Sequence, residues 1–163
     1  MKHRTNGLQG ATFGVMEGII MVLGVMVGLS ASADKSLVLI GMLVAGVADA
    51  FANAAAFHVS EETEPYHTQK EIRKSTIYCF LGTFAAVVIL SLPFFFLRLL
   101  PAAIISGILG LICLVLVGIA VSKINKKYKT LHLVVEYVIT GIVVAVVSYI
   151  IGLLIQNASW LVN

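Results

Sequence analysis

Charge is scarce in this chain. Lys, Arg, Asp and Glu together make up 12% of its 163 residues, while 60% are hydrophobic; a soluble domain carries about 25% charged residues. A fold of this size has too little interior to hide so much apolar surface, so the excess is expected to face lipid. Cysteine is scarce too. Cys79 and Cys113 both fall in apolar runs, and their spacing matches neither a disulfide framework nor a metal motif. No nucleophile, base and orienting group come together in a pattern that indicates catalysis, which makes an enzyme the least favoured class. The net charge of +3 and pI near 9.0 raise the question of nucleic acid. The basic residues sort instead to one side of the apolar runs, as a membrane topology requires, and no nucleic-acid partner is expected.

Five long apolar runs are present, at roughly 8–31, 37–58, 76–97, 102–122 and 131–156. A bilayer core takes about 20 helical residues to cross, whereas a barrel strand is about 9–11 residues long and alternates in polarity. These runs are long and do not alternate. They predict an all-α membrane protein, a bundle of five transmembrane helices forming one domain over 1–163. The longest polar stretch is Ser60 to Ser75, read as a short acidic cytosolic loop. Lys2, His3 and Arg4 before the first run, with Ala31-Ser32-Ala33 after it, imitate a secretory signal. That run exceeds the usual ~7–15 residues and contains Glu17, so it is read as the first span.

Placing the N-terminus inside puts Lys2, Arg4, Lys70, Arg73, Lys74, Lys123, Lys126, Lys127 and Lys129 inside and only Lys35 and Arg98 outside, nine against two. Enrichment of Lys and Arg in cytoplasmic loops therefore predicts a cytoplasmic N-terminus and an outer C-terminus. Arg98 can snorkel to the interface, and Tyr128, Tyr149 and Trp160 are candidate interfacial anchors.

Two carboxylates do not belong in lipid: Glu17 in the first span and Asp49 in the second. An ionised side chain at a helix centre costs about 3 kcal/mol, so each must face the bundle interior, find a partner or be protonated. No Lys or Arg lies at their depth. Each is about nine residues, or ~13 Å, from the cytoplasmic end of its span, and the two spans run antiparallel. The pair is expected to meet near mid-membrane and to hold a cation or shared protons. In a homodimer four carboxylates without a fixed counter-charge favour a divalent ion. Asn53 lies four residues past Asp49, with Ser60 and Glu64 roughly along the same face. Farther on, Glu61, Glu62, Glu64, His67 and Glu71 gather at the helix end, where acidic residues oppose the helix dipole, and suggest a place where cations collect. Met16 adjoins Glu17 and Met21 lies one turn beyond it. Thioethers beside carboxylates suit borderline transition metals, although Met21 equally suits ordinary core packing.

Gly10, Gly14 and Gly18 repeat every fourth residue of the first span, as do Gly24 and Gly28. Small residues at this spacing let helices approach closely, within one chain or across a dimer. In the fifth span Glu136 reads as an interfacial residue within reach of Lys127 or Lys129, and His3, His58 and His132 as boundary residues. Asn157-Ala158-Ser159 matches a glycosylation acceptor, a pattern common by chance.

From Glu17-Gly18-Ile19-Ile20 to Gly28-Leu29-Ser30 the chain resembles the vacuolar iron transporter family, whose first span has an Asp-Gly pair followed at the same spacing by Leu-Ser. The family's second-span pattern, Ala-Gly-x-Ala-acid, reads here as Ala45-Gly46-Val47-Ala48-Asp49, followed by the small residues of 52–56. Tyr137 to Leu154, with Thr140-Gly141, Tyr149 and Gly152, is similar to its fifth helix. The resemblance implies a homodimeric transporter without a prosthetic group that moves Fe²⁺, and often Mn²⁺, out of the cytosol in exchange for protons. Its pathway would lie at the dimer interface. Glu17 and Asp49 take the family's acidic positions with side-chain lengths exchanged. Two departures stand out. The family's second-span Met falls at Phe57, and its long metal-binding insert is reduced to Ser60–Ser75, where Glu61, Glu62, Glu64, His67 and Glu71 are either its remnant or a solvated loop. A proton-coupled exporter leads the readings. A passive channel through the same residues, and a membrane scaffold with buried protonated carboxylates, are the alternatives.

Overall fold

The computed structural model describes residues 6–31, 34–65, 67–124 and 127–158. Lys2, His3, Arg4, Ser32, Ala33, Lys126, Ser159 and Trp160, which entered the topology, signal, glycosylation and anchor readings, lie outside them. Five helices account for nearly everything described: α1 (Asn6–Ser30), α2 (Lys35–Glu62), α3 (Gln69–Phe96), α4 (Leu99–Ile124) and α5 (Thr130–Asn157). Each is long and apolar enough to cross a membrane, and the described residues include no strand. Helices are what lipid allows, because every backbone N–H and C=O must be satisfied within the segment.

Local capping sets where the helices start and stop. The Asp34 carboxylate accepts from the Leu37 N–H at 2.9 Å and opens α2. Thr68 and Glu71 form a capping box at the start of α3, with the Thr68 N–H donating to Glu71 Oε2 at 3.0 Å. As a result α2 and α3 run well into the acidic segment 60–75. Residues 60–62 are helical, residues 69–75 are helical, and only Thr63–Thr68 connects them. Hydropathy locates the lipid-crossing part of each helix and misses these polar end turns, which caps sustain in water.

The hub of the bundle is α1, which touches all four other helices and has its most extensive contact with α3. Its Gly10 and Gly14 press on the backbone carbonyls of Ser75 and Cys79, and a Cβ built on Gly18 would stand 2.7 Å from the Thr83 carbonyl oxygen. Farther along, Gly24 and Gly28 face Ser148 of α5, and Gly152 of α5 presses on the Gly28 carbonyl. Both glycine series thus serve contacts between helices of one chain. Around them Ile19, Val22, Leu23 and Met26 of α1 pack with Val87, Leu90 and Phe94 of α3, Val38 and Met42 of α2, and Leu114 of α4. Ser106 of α4 donates to the Leu90 carbonyl at 2.7 Å, fastening α4 to α3. The outermost helix is α5, of which only Leu133, Gly141 and Gly152 are buried. Tyr149 stands two turns inside the end of α5, whereas Tyr128 lies in the α4–α5 connection. Glu136 meets His132 across one turn at 3.8 Å, with both side chains exposed.

Two pairs organise the α2–α3 connection. His67 Nδ1 lies 2.8 Å from Glu61 Oε2, with only 15% and 5% of the two side chains exposed. The two atoms meet without hydrogen-bond alignment and have no other hydrogen-bond partner. His58 bridges α2 and α3, with Nδ1 at 2.8 Å from Thr76 Oγ1 and Nε2 at 3.4 Å from the more exposed Glu62 carboxylate.

Gly14→Ala places a methyl group against the Cys79 carbonyl and is expected to destabilise the protein by about 1–3 kcal/mol. Gly107→Ala, where nothing lies within 4 Å, is expected to be neutral. Thermal unfolding in detergent separates the two. By the same measurement His67→Ala, which strands a buried carboxylate, is expected to cost roughly 1–3 kcal/mol, and Glu61→Gln in that background to recover part of the loss. Equal melting of His67→Ala and the wild type would refute a structural role for this pair.

Candidate functional site

Glu17 stands on α1 and Asp49 on α2, and α3 sets their relative depth. Gly10, Gly14 and Gly18 abut Ser75, Cys79 and Thr83 in constant parallel register, which brings Glu17 level with Gly82. On the antiparallel side Gly46 abuts Val87 and His58 meets Thr76, which brings Asp49 level with Phe84. The two carboxylates therefore lie within about one helical turn, ~5 Å, of the same depth. Between Asn6 and Ser30, and between Ser36 and Glu62, neither helix carries a Lys or Arg to compensate them.

Asp49 and Asn53 come together as their spacing predicts: Asn53 Nδ2 donates to Asp49 Oδ2 at 2.9 Å. The amide orients the carboxylate without cancelling its charge. Glu17 lines a cleft of about 280 Å³ with Gln9, Thr12, Phe13 and Met16 of α1, Phe57 of α2 and Tyr137 of α5. Met16 and Met21 both pack against the apolar core, and of the two Met16 also lines this cleft. A wider cleft of about 520 Å³ lies between α1, α2 and α5 near the opposite end of the bundle. Ser148 is the single polar side chain on its wall, so it offers no ligand set for a cation.

The acidic residues of the α2–α3 turn do not converge. Glu61 is held by His67, Glu62 by His58, and Glu71 by the Thr68 cap, while Glu64 is exposed. Among the described residues no group of three or more His, Cys, Asp or Glu is placed to hold a metal ion. Ser60 is exposed and Glu64 lies past the helix end. Along the ridge Asp49, Asn53, Phe57 and Glu61 of α2 the first two are half-buried and the last two buried. Phe13 went unnoticed in the sequence, and Phe57 and Tyr137 entered only through the family resemblance, not as the walls of this cleft. For Phe57 a signal was present, since it falls four residues from both Asn53 and Glu61 on one helical ridge.

A family model, that of the VIT family, matches the chain over residues 8–78 and 53–153, most of its length. The search of individual curated proteins found no match. The matched segments contain Glu17, Asp49 and every helix but the ends of α1 and α5. The chain belongs to the vacuolar iron transporter family, a family of membrane proteins that transport metal ions.

Proposed function

We propose that the protein moves a divalent transition-metal ion, Fe²⁺ or Mn²⁺, out of the cytosol in exchange for protons, with Glu17 and Asp49 holding ion and protons in turn. The observation that carries this reading is the pair itself: two carboxylates level with each other in mid-span, on helices with no Lys or Arg beside them. At about 3 kcal/mol for each ionised group, such a pair is stable when protonated or when a cation lies between its members. Protons and metal then compete for the same oxygens, which is the chemistry of exchange. Asn53 orients Asp49, and the Met16 thioether beside Glu17 biases the site towards softer ions than Mg²⁺ or Ca²⁺.

One chain brings two carboxylates and an amide, fewer ligands than a transition metal takes. A homodimer doubles the set to four carboxylates, and lipid surrounds the remaining surface. Among the described residues Lys70, Arg73, Lys74, Lys123, Lys127 and Lys129 lie at the end that carries the start of α1 and the α2–α3 turn, against Lys35 and Arg98 at the other, which makes the first end cytosolic by the positive-inside rule. Glu61, Glu62, Glu64, His67 and Glu71 lie at the same end, where their charge raises the local concentration of cations.

In proteoliposomes, Fe²⁺ and Mn²⁺ are expected to drive counter-movement of protons and Ca²⁺ to drive none. Glu17→Gln and Asp49→Asn are each expected to reduce metal flux to background without loss of folded protein. Metal flux with no proton movement would favour a passive channel. Absence of flux from a well-folded wild type, with both variants equally stable, would favour a scaffold.

A further inference from the structure

Over most of its length α4 is closed against its neighbours by a small residue or a hydrogen bond. Gly110 abuts Leu23 of α1, Gly118 abuts Val134 of α5, and Ser106 bonds to the Leu90 carbonyl of α3. In the half of the bundle that carries the start of α1, the α1–α4 contact is left incomplete. Ala11, Thr12 and Val15 of α1 and Leu116, Val117 and Ala120 of α4 enclose a groove of about 250 Å³. The short side chains of Ala11 on one wall and Ala120 on the other leave the space unfilled. Val117 is buried at its floor, and Leu116 and Ala120 are exposed at its rim. Thr12 is the single polar residue of the lining, and its hydroxyl is engaged within its own helix, donating to the Leu8 and Gln9 carbonyls at 2.9 and 3.0 Å. The groove therefore offers an occupant apolar surface alone.

Depth and charge indicate the occupant. Ala11 and Val15 stand five and nine residues from Asn6, and Ala120 and Leu116 four and eight from Ile124. Both walls thus lie ~6–14 Å inside that end of the bundle, which is acyl-chain depth for one leaflet of a core about 30 Å thick. Lys123 follows Ala120 by three residues and Leu116 by seven, so it continues the same face of α4 in the last turn of the helix, where it is exposed. A lysine stem lies along apolar surface while its ammonium stays at the interface. The trough at acyl depth consequently ends at a cation at headgroup depth.

We propose that the α1–α4 groove binds an anionic phospholipid, one acyl chain lying along Val15, Leu116 and Ala120 and the phosphate pairing with Lys123. An unfilled apolar wall forfeits dispersion contacts, and a flexible acyl chain recovers them by following a trough that no side chain of the bundle fills. Any phospholipid supplies the chain, and the lysine selects by charge, an effect of about fivefold for one lysine beside an anionic headgroup. The bound chain bridges α1 to α4 where no glycine or hydrogen bond joins them. The assignment rests on packing and charge and not on the transport reading.

Native mass spectrometry of the purified full-length protein in detergent, titrated with phosphatidylglycerol or with phosphatidylcholine of the same acyl chains, reads chain and headgroup separately. The wild type is expected to bind phosphatidylglycerol several-fold more tightly. Lys123→Gln is expected to weaken phosphatidylglycerol about fivefold and leave phosphatidylcholine unchanged. Ala120→Leu, at an exposed position where the added side chain fills the groove without entering the core, is expected to weaken both lipids several-fold. Arg98→Gln removes the same charge at the other end of the bundle and is expected to bind as the wild type does. Wild-type affinities in both Lys123→Gln and Ala120→Leu, with wild-type melting temperatures, would overturn the site. So would a preference for phosphatidylglycerol that survives Lys123→Gln undiminished, since the headgroup would then lie elsewhere. Lipid binding unchanged in Ala120→Leu together with conversion of a dimer to a monomer would make the groove a contact between two copies of the chain and refute the lipid.

Discussion

The close approach of α1 to α3 is the contact on which the rest of the arrangement depends. Between helices in lipid there is little hydrophobic drive, since the acyl chains are as apolar as the side chains they would replace. Association then relies on van der Waals contact, and contact is closest where one partner has no side chain. Gly10, Gly14 and Gly18 let the backbone of α1 rest on the carbonyls of Ser75, Cys79 and Thr83, while Gly24 and Gly28 repeat the device against α5. A helix held in this way on two sides, and touched by the other two helices, lies inside the bundle. Glu17 is thereby set half-buried on the cleft between α1, α2 and α5, and the register on α3 brings it level with Asp49.

The spans and the acidic pair were legible in the sequence because lipid makes severe demands. Twenty apolar residues without charge have few other uses, and a lone carboxylate among them is conspicuous. The hydrogen bond of Asn53 to Asp49 was legible as well, because it lies within one helix, where spacing decides geometry. What crosses between helices was not. Glycine repeats announce a close contact but do not say which helix fills it, and the partners Ser75 and Cys79 follow only from the register of α1 on α3. Met21 shares a ridge with Glu17, yet the cleft opens on the side where Met16 stands. Phe13 and Phe57 are forty-four residues apart, and nothing in either neighbourhood announces the other.

The acidic turn shows a different limit. Counting charges between residues 60 and 75 suggests a solvated loop or a metal-collecting cluster, and the segment proves to be mostly helix ends with assigned partners. The Thr68-x-x-Glu71 spacing was a readable sign of a helix start, and it explains why Glu71 serves the backbone. Glu61 owes its position to burial against His67, a contact across the turn that residue spacing within a helix does not reveal. Three of these carboxylates already have local partners: Glu61 meets His67 across the turn, Glu62 meets His58 within α2, and Glu71 caps the start of α3 with Thr68.

Stability and the proposed transport chemistry thus draw on different residues. A Lys or Arg opposite Glu17 or Asp49 would neutralise the pair and lower the cost of burying it, but it would also occupy the place of the ion proposed above. The chain instead leaves the two carboxylates without a fixed cation and gives Asp49 a neutral partner in Asn53, which steadies its geometry and leaves its charge available. The burden of holding the helices together then falls on groups with no part in binding: the glycines against α3 and α5, the caps of Asp34 and Thr68, and the Ser106 bond to α3. With the bundle secured in this way, the exchange of occupant proposed for the acidic pair would leave intact the contacts that position it.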